Sequence, residues 1–160
     1  MQNRQGHWRT LGAVAASLLL LAAAPAPIAA PAAAGLPLVH VLATVTQLRS
    51  AKGRVLACLT RDPAKFPDCD KDPAAYRLIV PAAHTVELDF GPLPQGHYAL
   101  ALIHDENGNG KLDKLLMVPR EGFGFSRDAP VRMGPPAFDK AVFNTSDQVT
   151  RITLRMRYLL

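Results

Sequence analysis

Oxygen-bearing side chains recur at alternate positions late in the chain, in the order expected of a calcium-binding loop. Positions 1, 3, 5 and 9 of this loop are Asp105, Asn107, Asn109 and Asp113. Gly110 stands at position 6, where a glycine permits the sharp turn, and Lys111 at position 7 would offer its backbone carbonyl. The spacing therefore predicts a calcium site with oxygen ligands. With two carboxylates, we expect weak binding, with a Kd of roughly 0.1–1 mM.

The loop departs from a helix-loop-helix calcium hand at position 12. Leu116 stands where such a hand needs a bidentate glutamate, and residues 96–104 before the loop look like a strand rather than a helix. We therefore expect a calcium-type loop on a β scaffold. Candidates for the missing ligand are Glu121, Asp128 and Asp139.

A plain turn is the alternative interpretation of this segment. Asn-Gly occurs twice in succession, and this dipeptide favours tight hairpin turns because both residues tolerate positive φ. A turn does not need carboxylate and amide groups at alternating positions, which favours the metal interpretation.

Residues 1–34 have the layout of a cleaved secretory signal peptide. Arg4 and Arg9 precede an uninterrupted apolar stretch of about 14 residues, which is shorter than the ~20 that span a bilayer. Three alanines precede Gly35 and fit the small-residue cleavage rule. We expect residues 35–160 to form one domain in the periplasm or outside the cell, without stable membrane insertion. An uncleaved membrane anchor is the alternative.

Charge and cysteine content narrow the partners and the compartment. The formal net charge is +5, but the basic residues are interleaved with acids, so we expect no nucleic-acid partner. Cys58 and Cys69 are an even pair in a small exported domain, which predicts one structural disulfide. Closing this loop would stabilise the fold by about 2–4 kcal/mol.

Alternation of apolar and polar residues dominates the rest of the chain and predicts an all-β fold. Predicted strands cover residues 38–48, 54–60, 76–80, 85–90, 98–104 and 148–158, and residues 138–143 are either a strand or a helical turn. About seven closely spaced strands favour a single antiparallel β-sandwich of immunoglobulin-like or transthyretin-like type. The sequence Leu-Pro-Gln-Gly-His-Tyr-Ala-Leu at residues 93–100 resembles a corner of such sandwiches, in which the tyrosine packs below the turn.

Between residues 115 and 137 the alternation breaks, and Gly-Pro-rich runs argue against ladder pairing. Long irregular loops in compact domains are usually functional or disordered, and the aromatic residues of this one argue against disorder. Glu121, Phe123 and Phe125 are therefore predicted ligand-binding residues beside the metal loop. Alternatively, the two phenylalanines form a small core under the loop.

Three runs within residues 104–143 are similar to the signature of an exported bacterial family, domain of unknown function 2141. They are His-Asp-Glu-Asn-Gly-Asn-Gly-Lys-Leu-Asp, Pro-Arg-Glu-Gly-Phe-Gly-Phe-Ser and Gly-Pro-Pro-Ala-Phe-Asp-Lys-Ala-Val-Phe. The resemblance implies an exported β-sandwich and no particular activity.

A binding or structural role in the bacterial envelope is the predicted function. No Ser-His-acid set and no zinc-type histidine spacing is visible, so the sequence does not favour an enzyme. The partner would be a glycan, a peptide or another envelope protein. The alternatives are a periplasmic enzyme and a lectin-like domain that uses the metal loop and the Gly-Phe-Gly-Phe run at residues 122–125, here called the Gly/Phe segment.

Overall fold

The computed structural model describes residues 37–69, 72–146 and 148–160. The predicted signal peptide, residues 1–34, lies outside these described residues. Within them, no helix is both long enough and apolar enough to cross a membrane.

The described chain is built from strands, which confirms the all-β prediction. The strands are β1 (Leu38–Thr46), β2 (Arg54–Thr60), β3 (Tyr76–Pro81), β4 (Val86–Pro94), β5 (Gly96–Asp105), β6 (Lys114–Leu115), β7 (Val118–Pro119), β8 (Gly122–Phe125), β9 (Phe143–Thr145) and β10 (Val149–Arg155). A 3-10 turn covers Ser126–Asp128, and one helical turn, α1, covers Phe138–Ala141.

Two sheets carry most of the strands. The first has the order β10-β1-β4, and the second has the order β3-β2-β5-β8, with β9 paired to the start of β5. Strands β6 and β7 form a separate hairpin. The structure differs from the antiparallel prediction in one pairing, because β10 runs parallel to β1. Strand β10 reaches β1 through a long connection, so no tight turn forces the two strands to run in opposite directions.

One hydrophobic cluster takes alternate residues from both sheets. From β1 it takes Val41 and Val45, and from β2 it takes Val55 and Leu59, all fully buried. Leu100 and Leu102 of β5 and Leu154 of β10 belong to the same cluster. The two sheets therefore share a core, as the period-two pattern of their strands requires.

Tyr98 locks the corner between β4 and β5. Its side chain is fully buried, and its hydroxyl donates a hydrogen bond to the Pro94 carbonyl at 2.7 Å. The Arg61 guanidinium lies over its ring, with Cζ 5.5 Å from the centroid. Burial is the main cause that raises the pKa of Tyr98. The tyrosine thus packs below the turn, as the resemblance to sandwich corners implies.

The Gly/Phe segment is a strand, so the predicted irregular loop is wrong for Gly122–Phe125. Strand β8 pairs antiparallel with β5, and places Phe123 beside Ile103 and Phe125 beside Ala101. The glycines allow β8 to approach the end of the chain closely. A Cβ on Gly122 would lie 2.5 Å from the Tyr158 ring. Residues 138–143, for which the sequence predicts a strand or a helical turn, begin as the turn α1.

The predicted disulfide pairs Cys58 of β2 with Cys69, whose Cα atoms lie 6.1 Å apart. Asp72, which follows Cys69 in the chain, forms a second link to β2. Its carboxylate accepts a hydrogen bond from the Thr60 hydroxyl and another from the Ala74 amide at 2.9 Å. The bond from Thr60 is the main cause that lowers the pKa of Asp72. The disulfide loop is thus tied to β2 at two points.

Gly122→Ala should destabilise the fold by about 2–3 kcal/mol, because the added methyl overlaps the Tyr158 ring and forces it to move. Gly124→Ala is the matched control, since its nearest contact, the Arg155 carbonyl, lies at 3.1 Å. We expect the control to lose clearly less stability in urea unfolding. Equal losses would contradict the close approach of β8 to Tyr158.

Candidate functional site: the metal-type loop and an apolar cleft

Strand β5 ends at two polar residues that point to opposite faces of the sheet. His104 faces the core, where its ring nitrogens lie 2.7 Å from the Tyr158 hydroxyl and 2.8 Å from the Lys52 carbonyl. Both nitrogens therefore have structural partners. Asp105 faces the other side and opens the predicted metal loop. The alternation of a strand thus separates these neighbours.

The Asp105 carboxylate is fully buried and organises the start of the loop. Its Oδ1 accepts a hydrogen bond from the Asn109 amide at 3.0 Å, and its Oδ2 accepts one from the Gly110 amide at 2.8 Å. The Arg54 guanidinium pairs with Oδ2 at 3.0 Å. Burial by itself raises the pKa of Asp105, but the hydrogen bonds outweigh it, so the pKa is lowered. Asp105 is therefore a carboxylate held in its charged form.

Three other predicted ligands converge at the exposed side of the loop. The Asn107 side-chain amide donates to the Asp113 carboxylate at 2.6 Å, and that of Asn109 donates to the same carboxylate at 3.0 Å. The bond from Asn109 is the main cause that lowers the pKa of Asp113, followed by the bond from Asn107. The structure thus brings Asn107, Asn109 and Asp113 together.

Glu121 lies outside the loop in sequence and bonds to both ends of it. Its carboxylate is almost buried, and it accepts hydrogen bonds from the backbone amides of Glu106 and Asp113, both at 3.0 Å. The two ends of the loop are thereby fixed to one side chain. Asp128 instead pairs with Arg155, and Asp139 pairs with Lys140. Of the three candidates for a further ligand, Glu121 is the one that the structure places against the loop.

A second set of contacts anchors the loop to the turn after β1, and the sequence analysis did not find it. Glu106 forms an ion pair with Arg49 and accepts a hydrogen bond from the Ser50 hydroxyl at 2.8 Å. The bond from Arg49 is the main cause that lowers the pKa of Glu106. The Arg49 guanidinium also lies over the Tyr158 ring, 4.5 Å from its centroid. These partners are more than 50 residues apart in sequence, so local spacing gave no signal for them.

The donor chemistry of the loop fits calcium. Its side chains offer only carboxylate and amide oxygens, which are the ligands that this cation prefers. Among the described residues, no group of three or more His, Cys, Asp and Glu side chains is placed to hold a metal ion. A bound ion would therefore depend on the amide oxygens of Asn107 and Asn109 and on the Lys111 carbonyl, beside the Asp105 and Asp113 carboxylates.

A cleft of about 900 Å³ lies on the outer face of the second sheet, beside the loop. Its floor includes Ile79, Leu56, Ile103 and Phe123, which are directly paired neighbours on β3, β2, β5 and β8. They form one apolar row across four strands. Since paired strands are ~4.8 Å apart, the row spans roughly 14 Å. A volume of this size is typical of small-molecule sites.

Residues 110–112 of the metal-type loop line the same cleft. The hairpin of β6 and β7 adds Lys114 and Val118, and the connection after β8 adds Arg132 and Met133. Met117 and Met133 are strongly exposed there, with relative exposures of 84% and 104%. The loop that predicts a metal site is therefore also one wall of an apolar cleft.

Phe123 and Phe125 each contact both a small hydrophobic cluster and the cleft. Both are nearly buried and belong to a second cluster with Phe66 and Phe138, in which the Phe66 and Phe125 ring centroids lie 5.8 Å apart. Both also border the cleft. The small-core interpretation thus holds for both rings, and each has an edge at the cleft. Glu121, the third predicted ligand-binding residue, is not among the residues that line the cleft.

Ser126 is engaged in the fold. It is fully buried, its hydroxyl donates to the Ala141 carbonyl at 2.6 Å, and it accepts a hydrogen bond from the Leu100 amide at 2.9 Å. The hydroxyl therefore fastens the helical turn α1 to β5.

The cleft was the main feature that the sequence analysis missed. A signal for it was present, since β2 and β5 carry apolar residues at both parities. Leu56 and Ile103 stand between residues that the shared core already buries. A strand that is apolar on both faces indicates a second covered or ligand-binding surface.

The fold and site define a class: an all-β domain in which an oxygen-rich loop borders an apolar cleft. Residues 43–153 match the model of a family described as "Uncharacterized protein conserved in bacteria (DUF2141)". The chain belongs to this family, as its sequence signature implied. No curated protein and no solved structure matches the chain.

Glu121→Gln should destabilise the protein by about 2 kcal/mol, because an amide nitrogen would replace one acceptor opposite a backbone N–H. Glu87→Gln is the matched control, since Glu87 is exposed and accepts one side-chain hydrogen bond, from Thr44 at 2.9 Å. The control should change stability by less than about 0.5 kcal/mol. Urea unfolding with chelator present measures both, and equal losses would contradict the closing role of Glu121.

Proposed function

We propose that this chain is an exported binding module whose metal-type loop takes calcium and whose apolar cleft takes a ligand. Its role is to hold that ligand in the bacterial envelope rather than to transform it. The observation that carries the proposal is the shared wall: residues 110–112 belong to the loop and line the cleft. An ion that fixes the loop would therefore also fix one side of the binding surface.

Calcium would be held by the side chains of Asp105, Asn107, Asn109 and Asp113 and by the Lys111 carbonyl. The ion would supply positive charge at the exposed end of the loop, where the Asp113 carboxylate now accepts amide hydrogen bonds. Asp105 would contribute less charge than a free carboxylate, since Arg54 already pairs with it. These features support a weak site, which suits a calcium-rich exterior better than the cytosol.

The binding role draws on the shape and chemistry of the cleft. The row of Ile79, Leu56, Ile103 and Phe123 is apolar, and Ile79 is 64% exposed although it stands inside a strand. The row is exposed at Ile79, intermediate at Leu56 and Ile103, and buried at Phe123. A partly exposed apolar row beside two exposed methionines is a common mark of an interaction site. The disulfide supports the proposal as well. Cys69 borders the cleft, and its bond to Cys58 of β2 holds that part of the border in place.

Calcium should raise the melting temperature of the purified protein. With a Kd near 0.5 mM, 10 mM calcium would stabilise the native state by about 1.8 kcal/mol, a shift of roughly 5–8 °C for a domain of this size. Asp113→Asn should remove most of this shift, because it deletes an exposed ligand charge. Thermal unfolding in calcium and in chelator measures the effect.

Asp139→Asn is the matched control for the calcium experiment. Its carboxylate is 67% exposed and pairs with Lys140, outside the loop. The control should keep the full calcium response. An unchanged melting temperature of the unmodified protein at 10 mM calcium would overturn the calcium part of the proposal and leave the loop as a turn held by its own hydrogen bonds.

A neutral apolar dye such as N-phenylnaphthylamine should bind the cleft with increased fluorescence. Ile79→Gln should weaken its binding severalfold, since the substitution places a polar group in the apolar row. Leu38→Gln is the matched control: Leu38 is an aliphatic strand residue of similar exposure, 62% against 64%, and does not border the cleft. Equal dye affinity in both variants, or no dye binding at all, would reject the cleft as a binding site.

A further inference from the structure

We propose that the cleft binds single-chain amphiphiles with an anionic head group, such as fatty acids. This inference rests on the binding role proposed above and names the class of ligand. Two features of the cleft carry it: the linear apolar row on its floor and the sign of the charge along its border.

The floor suits a chain rather than a compact ring system. Ile79, Leu56, Ile103 and Phe123 stand side by side across four strands, and the row spans roughly 14 Å. An extended alkyl chain laid along this row would contact an aliphatic or aromatic side chain on every strand. Its burial would also cover Met117 and Met133, whose flexible thioethers adapt to chains of different length.

The border is positively charged. Among the described residues that line the cleft, Lys111, Lys114 and Arg132 are exposed and have no ion-pair partner. Two further cations are already engaged: Arg54 pairs with Asp105, and Arg77 donates to the Asp72 carbonyl at 2.8 Å. Asp68 is the one described carboxylate at the border. The free charge therefore favours an anionic group at the mouth of the cleft.

Glycans and peptides fit this surface less well. A sugar would need polar partners along its length, whereas the floor row offers none. A peptide would leave its backbone N–H and C=O groups over apolar side chains, which is unfavourable when they are buried without partners. An alkyl chain has no such groups, and its one polar end can remain at the positively charged border.

The test is displacement of N-phenylnaphthylamine from the purified protein by three amphiphiles with the same chain, all below their micelle concentrations. They are dodecanoate, neutral dodecyl maltoside and dodecyltrimethylammonium. We expect dodecanoate to bind best and the cationic amphiphile to bind worst. Decanoate should be weaker than dodecanoate by about fourfold per methylene removed. Near-ultraviolet circular dichroism checks that the fold is intact at each amphiphile concentration.

The charge requirement is tested with Lys114→Gln combined with Arg132→Gln. We expect this variant to bind dodecanoate roughly fivefold more weakly and dodecyl maltoside unchanged, since exposed ion pairs are weak individually. Arg151→Gln is the matched control, because Arg151 is exposed on β10 and does not border the cleft. Added salt should reduce the preference for dodecanoate in the unmodified protein.

The outcomes separate this inference from the proposed function. If all three amphiphiles displace the dye equally, the cleft binds ligands but the anionic class is wrong. The anionic class is also wrong if the double variant binds dodecanoate as well as the Arg151→Gln control does. If the dye binds and none of the amphiphiles displaces it, the chain-shaped ligand is wrong. If the dye itself does not bind, the binding function fails as well.

Discussion

Strand β5 is apolar on both faces, and the opposite sheet, strand β8 and the cleft all contact one face or the other. One face, with Leu100 and Leu102, is covered by the opposite sheet. No sheet in the described part of the chain covers the other face, with Ala101 and Ile103. Strand β8 and the segment up to α1 cover the Ala101 end, while the Ile103 end remains at the floor of the cleft. The proposed binding surface is thus the part of a two-faced strand that the chain leaves uncovered.

The metal-type loop holds several negative charges close together at the end of β5. Asp105, Glu106, Asp113 and Glu121 lie within one small region. Each of them accepts hydrogen bonds, and Arg49 and Arg54 neutralise two of them. A buried carboxylate costs free energy unless it is paired and hydrogen-bonded. The loop therefore keeps its shape through internal bonds, and a bound cation would compete with the side-chain amides of Asn107 and Asn109 for the Asp113 carboxylate.

The sequence predicted the parts of this structure that depend on neighbours along the chain. Strands β1, β2 and β5 lie where the sequence predicted strands. The oxygen spacing at residues 105–113 predicted that these side chains share one loop, but not the hydrogen bonds between them. Strand β8 was missed because its four residues alternate glycine and phenylalanine between proline-containing segments, a pattern that favours a loop. Its glycines leave room for neighbouring groups: a Cβ on Gly122 would overlap Tyr158 and Met156, and a Cβ on Gly124 would lie 3.1 Å from the Arg155 carbonyl.

Contacts between distant parts of the chain could not be predicted from local sequence patterns. The bond from Arg54 to Asp105 joins residues 51 positions apart, and the apolar row depends on the register of three strand pairings. A shift of one residue in any pairing would turn Leu56 or Ile103 into the core and remove the row. Residue types at these positions were visible in the sequence, but their alignment across the sheet was not.

The shared wall gives the two proposed sites a thermodynamic connection. If calcium orders residues 110–112 in the conformation that borders the cleft, a ligand in the cleft must favour calcium binding by the same factor. The size of this coupling is limited by how much of the wall is free to move without the ion. Glu121 and Asp105 already fix both ends of the loop through backbone hydrogen bonds. The coupling should therefore be small, and the cleft should keep most of its affinity when calcium is absent.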